Sequence, residues 1–275
     1  MIAGFSAEQF LPLAAALFFA GGLTGILAGL FGVGGGAIIV PILYQTFVLL
    51  GVPEEVRMPL TVGTSLAVII PTAVRSYLAH RKTGAVDTRI MRLWALPIFF
   101  GVAAGSFLAA FAPAWVFKLV FTLIAGGNGI ALLIGRKDWR IADEPSSWPM
   151  RGIGFFIGLL SSLMGISGGM LSNLSLIMFG RTIHQAVATS SGLGVIISIP
   201  GAIGYALAGI SKMSLLPPLS LGFVSLIGVA LLAPLGMLLA PIGARLAHAI
   251  SRRRLEIAFG CYLLLMAGRF AVNLL

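Results

Sequence analysis

The feature that most constrains this chain is a long stretch without charge near its start. No Asp, Glu, Lys or Arg occurs between Glu8 and Glu54, and similar apolar runs follow along the rest of the chain. Only 9% of the 275 residues are charged and 59% are hydrophobic, too few polar residues to cover a soluble surface. Outer-membrane barrel strands would alternate apolar and polar residues. We therefore predict an all-α polytopic membrane protein.

The apolar runs divide into two groups on either side of a hydrophilic stretch. The segments lie at 11–31, 37–50, 61–79, 93–112, 115–135, 152–166, 169–180, 186–209, 214–240 and 256–275. We predict a first membrane repeat at 1–136, a cytoplasmic linker at 137–150 and a second membrane repeat at 151–275.

The net charge of +10 is concentrated in three connectors between apolar segments. The three clusters are Arg81, Lys82, Arg89 and Arg92; Arg136, Lys137, Arg140 and Arg151; and Arg245, Arg252, Arg253 and Arg254. Basic residues in short connectors face the cytoplasm and lie beside anionic lipid. The distribution predicts a multi-pass protein of the bacterial inner membrane with cytoplasmic basic loops, and it does not indicate nucleic acid as a partner.

Two motifs recur in the same order in the second part of the chain, at offsets of 133 and 125 residues. GLFGVGGGAIIVP at 29–41 corresponds to SLMGISGGMLSNL at 162–174, and GTSL at 63–66 corresponds to ATSS at 188–191. The matched positions are Gly32 with Gly165, Gly34 with Ser167, Gly35 with Gly168 and Gly36 with Gly169. The order of the motifs predicts an internal duplication.

The repeat also predicts the relative orientation of the halves. Each half contains a glycine-broken pair of short helices followed by three long transmembrane helices. The pair leaves the chain on the side where it entered, and three further spans reverse that side. The second half is therefore predicted to be inverted relative to the first, a design in which transporters hold substrate at the membrane midplane.

The broken helices are predicted to bind an anion. Glycine is a poor helix former, and a half-helix that begins inside the membrane points unpaired amides and its positive dipole end at whatever precedes it. The candidate residues are Gly34, Gly35 and Gly36 before the half-helix at 37–50, and Ser167, Gly168 and Gly169 before that at 170–180. The alternative is that these glycines serve only close helix packing.

The duplicated LFGVGGG and MGISGG motifs, each followed by a TS-bearing span, resemble the TauE/SafE sulfite exporter family, also called toluenesulfonate uptake permeases. The resemblance covers nearly the whole chain. It implies a secondary transporter of sulfur-containing anions such as sulfite, sulfoacetate or related organosulfonates. The second motif departs from the first, because Ser167 replaces a glycine and Leu174 stands where the first copy has Pro41.

Hydroxyl side chains form a second group of candidate ligands. Thr64, Ser65, Thr189 and Ser190 stand at the heads of the predicted spans 61–79 and 186–209. They could cap those helices by accepting bonds from the first amides, or they could donate to a bound oxyanion, and both roles are compatible.

Two further polar residues at membrane depth are candidates. Arg75 lies inside the span 61–79 and suits a sulfonate or carboxylate, or it extends to the cytoplasmic face beside Arg81. Asn173 follows the second break by about one turn and either binds substrate or bonds between helices.

His184 could relay a proton or lie at the interface, so a coupled proton or other ion remains open.

The sequence predicts an alternating-access transporter for a small sulfur-containing anion, with an anion channel on the same scaffold as the alternative. GVGGGA lacks the strand and acidic residue of a dinucleotide fingerprint, and no GK[ST] follows. No serine–lysine, paired-aspartate or metal motif occurs, so we predict no enzyme activity, cofactor, metal or catalytic residue. The particular anion, the direction of transport and the oligomeric state stay open.

Overall fold

A computed structural model describes residues 7–31, 35–82, 84–135, 147–246 and 252–272. The helices are α1 (Ala7–Phe31), α2 (Gly36–Leu49), α3 (Glu54–Arg81), α4 (Thr88–Ala109), α5 (Ala114–Ile134), α6 (Ser147–Met164), α7 (Gly169–Met178), α8 (Ile183–Ala208), α9 (Leu226–Leu246) and α10 (Arg252–Val272). A 3₁₀ turn (Ile210–Leu215) and the antiparallel strands β1 (Ser220–Leu221) and β2 (Val224–Ser225) lie between α8 and α9.

Many of these helices have the length and composition of membrane segments. Among the described residues, five helices are long and apolar enough to cross a bilayer, namely Glu54–Arg81, Thr88–Ala109, Ala114–Ile134, His184–Ala208 and Leu226–Gly243. Shorter apolar helical stretches occupy Ala14–Leu30 within α1, Gly36–Leu49, Pro149–Met164 within α6 and Gly169–Met178. The prediction of an all-α polytopic membrane protein is confirmed, and each predicted apolar segment contains a helix.

One predicted segment is wrong in part. The run 214–240 forms the end of the 3₁₀ turn, the short hairpin and only then α9, which begins at Leu226. Pro217 and Pro218 lack the amides that a helix would use, and Leu219 and Gly222 have positive φ angles of 56° and 52°. A run that is apolar but broken by such residues turns back on itself before the helix starts.

The cytoplasmic linker at 137–150 stays a prediction. Helix α6 begins at Ser147, inside that range. Residues 136–146 lie outside the described part of the chain.

The contacts between helices follow the same scheme in both halves. Helix α1 packs on α9 as α6 packs on α4, and α2 packs on α3 as α7 packs on α8. Helices α3 and α8 contact each other, as do α5 and α10, so equivalent helices of the two halves also pair directly. The scheme is what a duplicated chain predicts.

Glycines bring α1 into backbone contact with α9, and α6 into backbone contact with α4. A Cβ on Gly25 of α1 would lie 2.2 Å from the carbonyl oxygen of Gly236 in α9. A Cβ on Gly158 of α6 would lie 2.3 Å from the carbonyl oxygen of Ile98 in α4. At these positions the glycines permit close packing, as is common between membrane helices.

Helices α3 and α8 run antiparallel, as two ion pairs at their ends establish. Glu55 at the start of α3 lies 2.5 Å from Lys212, which follows the end of α8. Asp87, which follows the end of α3, lies 3.1 Å from Arg181, which precedes α8. Because α3 and α8 carry the repeated TS motif, their opposite directions are those expected of an inverted repeat; inversion of the complete halves stays a prediction.

Candidate functional site

Both predicted helix breaks place a left-handed glycine directly before a short helix. Gly35, the N-cap of α2, has φ 75° and ψ −11°. Gly168, the N-cap of α7, has φ 72° and ψ −2°. A side chain at either position would be strained, because Cβ approaches the following carbonyl in this conformation. The predicted breaks therefore exist at both places; Gly34 lies outside the described residues.

The two N-cap carbonyls accept the first bonds of their helices. The amides of Ile38 and Ile39 donate to the Gly35 oxygen at 2.9 and 3.0 Å. At the second break, both the amide and the hydroxyl of Ser172 donate to the Gly168 oxygen at 2.8 Å. The amides that precede these donors in each helix point out of its end and carry its positive dipole charge.

The two breaks contact each other. A Cβ on Gly36 would lie 2.6 Å from the carbonyl oxygen of Gly165 and 2.8 Å from the Cα of Ile166. The hydroxyl of Ser65 on α3 donates to the same Gly165 oxygen at 2.7 Å. The predicted ligand Ser65 therefore holds the second break in place, and a peptide carbonyl lies against the first residue of α2.

The equivalent threonines make equivalent bonds between the halves. Thr64 on α3 accepts a hydrogen bond from the amide of Ser225 at 2.9 Å, and Ser225 directly precedes α9. Thr189 on α8 accepts one from the amide of Asp87 at 2.9 Å, and Asp87 is the N-cap of α4. Both hydroxyls are buried. Each threonine therefore anchors a helix start of the opposite half.

Thr64, Ser65, Thr189 and Ser190 do not cap the helices to which they belong, so that interpretation is wrong. Helix α3 begins at Glu54 after Pro53, and α8 begins after Thr182, whose hydroxyl accepts the amide of Gln185. Both helices begin before the predicted apolar spans 61–79 and 186–209, because their first turns are polar. Ser190 is buried inside α8 and donates to the carbonyl of Val187 in the same helix.

The second break carries buried hydroxyl groups. Ser167 is 2% exposed, and its Cβ lies 3.1 Å from where a Cβ on Gly194 of α8 would stand. Ser161 on α6, which the sequence interpretation missed, is fully buried, and its Oγ lies 3.0 Å from a Cβ built on Gly168. Alignment of the two motifs could have revealed it, because Ser161 occupies the position of Ala28.

The remaining predicted ligands are placed differently. Asn173 is half-buried on α7, near its N-terminal end, and Gly169 is the first residue of that helix and buried. Arg75 is exposed, and its guanidinium has no hydrogen bond or ion pair within the described ranges. The structure thus gives Arg75 no polar contact with either break.

A group of charged residues that the sequence interpretation missed lies around Tyr44 of α2. Lys118 on α5 is 5% exposed, and its Nζ lies 3.0 Å from the Glu54 carboxylate and 6.0 Å from the centre of the Tyr44 ring. The Arg57 guanidinium lies 5.8 Å from the same ring centre and donates to the carbonyl of Val52 at 2.7 and 3.0 Å. In the sequence, the only indication of this group was Lys118, a single lysine within the apolar run 115–135.

A cavity of about 310 Å³ opens beside the hairpin. Its wall contains the Glu55–Lys212 ion pair, Pro59, Phe223 and residues 109–114 between α4 and α5. Phe223 itself is buried, and its carbonyl lies 2.2 Å from a Cβ built on Gly63 of α3. The hairpin therefore packs tightly on α3 and borders a space large enough for a small solute.

Membrane-crossing helices combined with two half-helices that start in the buried interior define a polytopic protein of the interrupted-helix type, which is common among transporters. The family model described as "Sulfite exporter TauE/SafE" matches residues 17–270. The chain belongs to this family of membrane transporters.

Curated relatives agree with this assignment. A probable membrane transporter protein of Haemophilus influenzae is 28% identical over 249 residues, covering 90% of this chain and 94% of the relative. A probable membrane transporter protein of Methanocaldococcus jannaschii is 29% identical over 252 residues, covering 90% and 92%. One of Bacillus subtilis is 28% identical over 211 residues, covering 68% and 76%. No solved structure matches the chain.

Proposed function

We propose that the protein is a secondary transporter that moves a small sulfur-containing anion, such as sulfite, sulfoacetate or a related organosulfonate, by alternating access. The observation that carries this proposal is the pair of left-handed glycines, each of which starts a short helix in the interior. The description of the family model supports the substrate class, since it names sulfite export.

Helix ends suit an anion that must enter and leave repeatedly. A fully charged side chain buried in the membrane is costly, and a strong ion pair with the substrate would slow release. Amide groups at a helix N-terminus attract negative charge with a partial positive charge only. A sulfite or sulfonate group offers three oxygens, so it accepts bonds from several amides and hydroxyls at once.

The ion pairs at opposite ends of α3 and α8 support alternating access. Each pair joins a residue of the first half to one of the second, Glu55 to Lys212 and Asp87 to Arg181. At 1.5 Å per residue, the 28 residues of α3 separate these pairs by about 40 Å. Opening one pair while the other stays closed would expose the centre to one side at a time.

We assign the Asp87–Arg181 end to the cytoplasm. Arg81, Lys82, Arg89 and Arg92 flank Asp87 in the sequence, and basic connectors remain on the cytoplasmic side of the inner membrane. In this orientation the hairpin and the Glu55–Lys212 pair face outward, and the halves are inverted repeats.

Transport in proteoliposomes tests the proposal. Labelled sulfoacetate and sulfite should enter vesicles that contain the purified protein in a saturable manner, with counterflow and without single-channel current. Current without saturation would indicate an anion channel on the same scaffold. Absence of flux and of stabilisation by any sulfur-containing anion would contradict the proposed function.

The matched glycine variants are Gly168→Leu and Gly127→Leu. A leucine at Gly168 would meet Ile197 Cδ1, which is 2.4 Å from the Cβ position, whereas nothing lies within 4 Å of the Cβ position of Gly127 in α5. Gly168→Leu should abolish binding while the protein still inserts, and Gly127→Leu should bind as the wild type does. Normal binding by Gly168→Leu would reduce this glycine to a packing role.

A further inference from the structure

The two breaks share their backbone conformation but differ in polarity. The second break has polar residues where the first has apolar ones: Ser161 for Ala28, Ser167 for Gly34, Ser172 for Ile39 and Asn173 for Val40. The two helix ends therefore differ in the side chains available to complete a binding site.

Ser161 is the residue of this set that lies against the N-cap itself. The atoms nearest a Cβ built on Gly168 are Ile197 Cδ1 at 2.4 Å, Ser161 Oγ at 3.0 Å and Ile157 Cγ2 at 3.3 Å. At the first break the corresponding neighbours of Gly35 are the carbonyl oxygen of Thr24 and the methyl group of Ala28. A hydroxyl between two isoleucine side chains thus faces the start of α7, where the equivalent position beside α2 is a methyl group.

The Ser161 hydroxyl has no hydrogen-bond partner among the described residues, although it is fully buried. The buried hydroxyl of Ser198 on α8 shares this property, but Ser161 is the one that lies beside the N-cap of α7. Buried hydroxyls within helices normally donate to a carbonyl of the preceding turn. Ser106, Ser172 and Ser191 all do so here. Leaving a buried hydroxyl unpaired costs free energy, so its position beside a positive helix end indicates a donor held for a ligand.

At the first break a peptide carbonyl lies against the start of the helix. The Gly165 carbonyl oxygen and the Ile166 backbone lie against Gly36, the first residue of α2. A peptide carbonyl brings partial negative charge to that helix end and repels a second negative group. The first break therefore packs against the second through Gly36, and Ser65 of α3 donates to the same Gly165 carbonyl.

We propose that the substrate anion binds at the α7 break alone and that Ser161 donates a hydrogen bond to one of its oxygens. The inference rests on the proposed function and assigns unequal roles to the two breaks: α7 binds and α2 packs. It adds Ser161 to the site and predicts one anion per chain.

The test compares Ser161→Ala with Ser106→Ala. Ser106 is a buried serine on α4 whose hydroxyl donates to Val102 of its own helix at 2.8 Å. Affinity for sulfoacetate is measured by ligand-dependent thermal stabilisation of the full-length protein in detergent, and KM is measured in proteoliposomes. Loss of a hydrogen bond to a charged ligand should weaken binding about tenfold or more in Ser161→Ala, and Ser106→Ala should match the wild type.

Ser161→Cys is measured in parallel, because it nearly preserves the side-chain shape but has only a weak donor. It keeps the comparison possible if the alanine variant does not fold. A wild type that binds no sulfur-containing anion would overturn the proposed function, and this inference with it. A wild type that binds, with a loss of less than about tenfold in both Ser161 variants or an equal loss in Ser106→Ala, would overturn the role of Ser161 only.

Discussion

At the scale of single residues, the role of a buried hydroxyl depends on its hydrogen-bond partner. Thr64 and Thr189 occupy equivalent positions of the repeated TS motif, and each accepts the amide that starts a helix of the opposite half. The sequence marked both residues as polar groups at membrane depth. It could not identify Ser225 and Asp87 as their donors, because those residues are 161 and 102 positions away.

Replacing Thr64 tests this anchoring role. Thr64→Val leaves the buried amide of Ser225 without its acceptor, which should cost about 1–3 kcal/mol of stability. Thr64→Ser retains the oxygen and should unfold near the wild-type temperature. Thermal unfolding of the purified protein measures both variants, and equal midpoints for the two would show that the bond contributes nothing.

At the scale of elements, the glycine breaks were predictable but their mutual contact was not. A glycine cluster inside an apolar run indicates an interrupted helix, and both left-handed N-caps occur where the motif placed them. Contact between Gly36 and Gly165 arises from the arrangement of α2, α3 and α6. No spacing in the sequence specifies that two breaks 129 positions apart should meet (Gly36 and Gly165).

The contact between the breaks predicts opposite effects for two glycine-to-alanine changes. Gly36→Ala places a methyl group 2.6 Å from the Gly165 oxygen, so we expect a loss of about 1–3 kcal/mol from overpacking. Gly127→Ala in α5 has open space around the new methyl group and should gain up to about 1 kcal/mol from helix propensity. Thermal unfolding distinguishes them, and a stable Gly36→Ala protein would argue against tight contact of the breaks.

At the scale of the whole molecule, ion pairs join the halves at both ends of the central helices. Glu55–Lys212 and Asp87–Arg181 each connect the two halves, whereas Glu54–Lys118 lies within the first half. These residues are separated by 157, 94 and 64 positions. The two pairs between the halves depend on α3 and α8 lying side by side, and the third depends on α3 and α5 doing so.

Cross-linking tests whether the ends must open in turn. In a Cys261→Ser background, three variants each carry cysteine at both residues of one ion pair. The pairs are Asp87 and Arg181, Glu55 and Lys212 and, as the control, Glu54 and Lys118. A short thiol-specific bifunctional reagent should stop sulfoacetate transport when it bridges either pair between the halves. The control pair should keep its transport, because its residues belong to one half. Unimpaired transport with either end bridged would exclude motion of the halves at that end.

The sequence by itself determined the membrane class, the helical fold and the positions of both breaks, and it predicts the duplication. Those properties follow from hydropathy and from the backbone preferences of glycine, which act over a few neighbouring residues. The tertiary structure alone decided that the breaks touch, that Thr64 and Thr189 anchor helices, and that Ser161 faces the start of α7. Such contacts join positions distant in the chain, and they depend on how whole helices pack rather than on any local pattern.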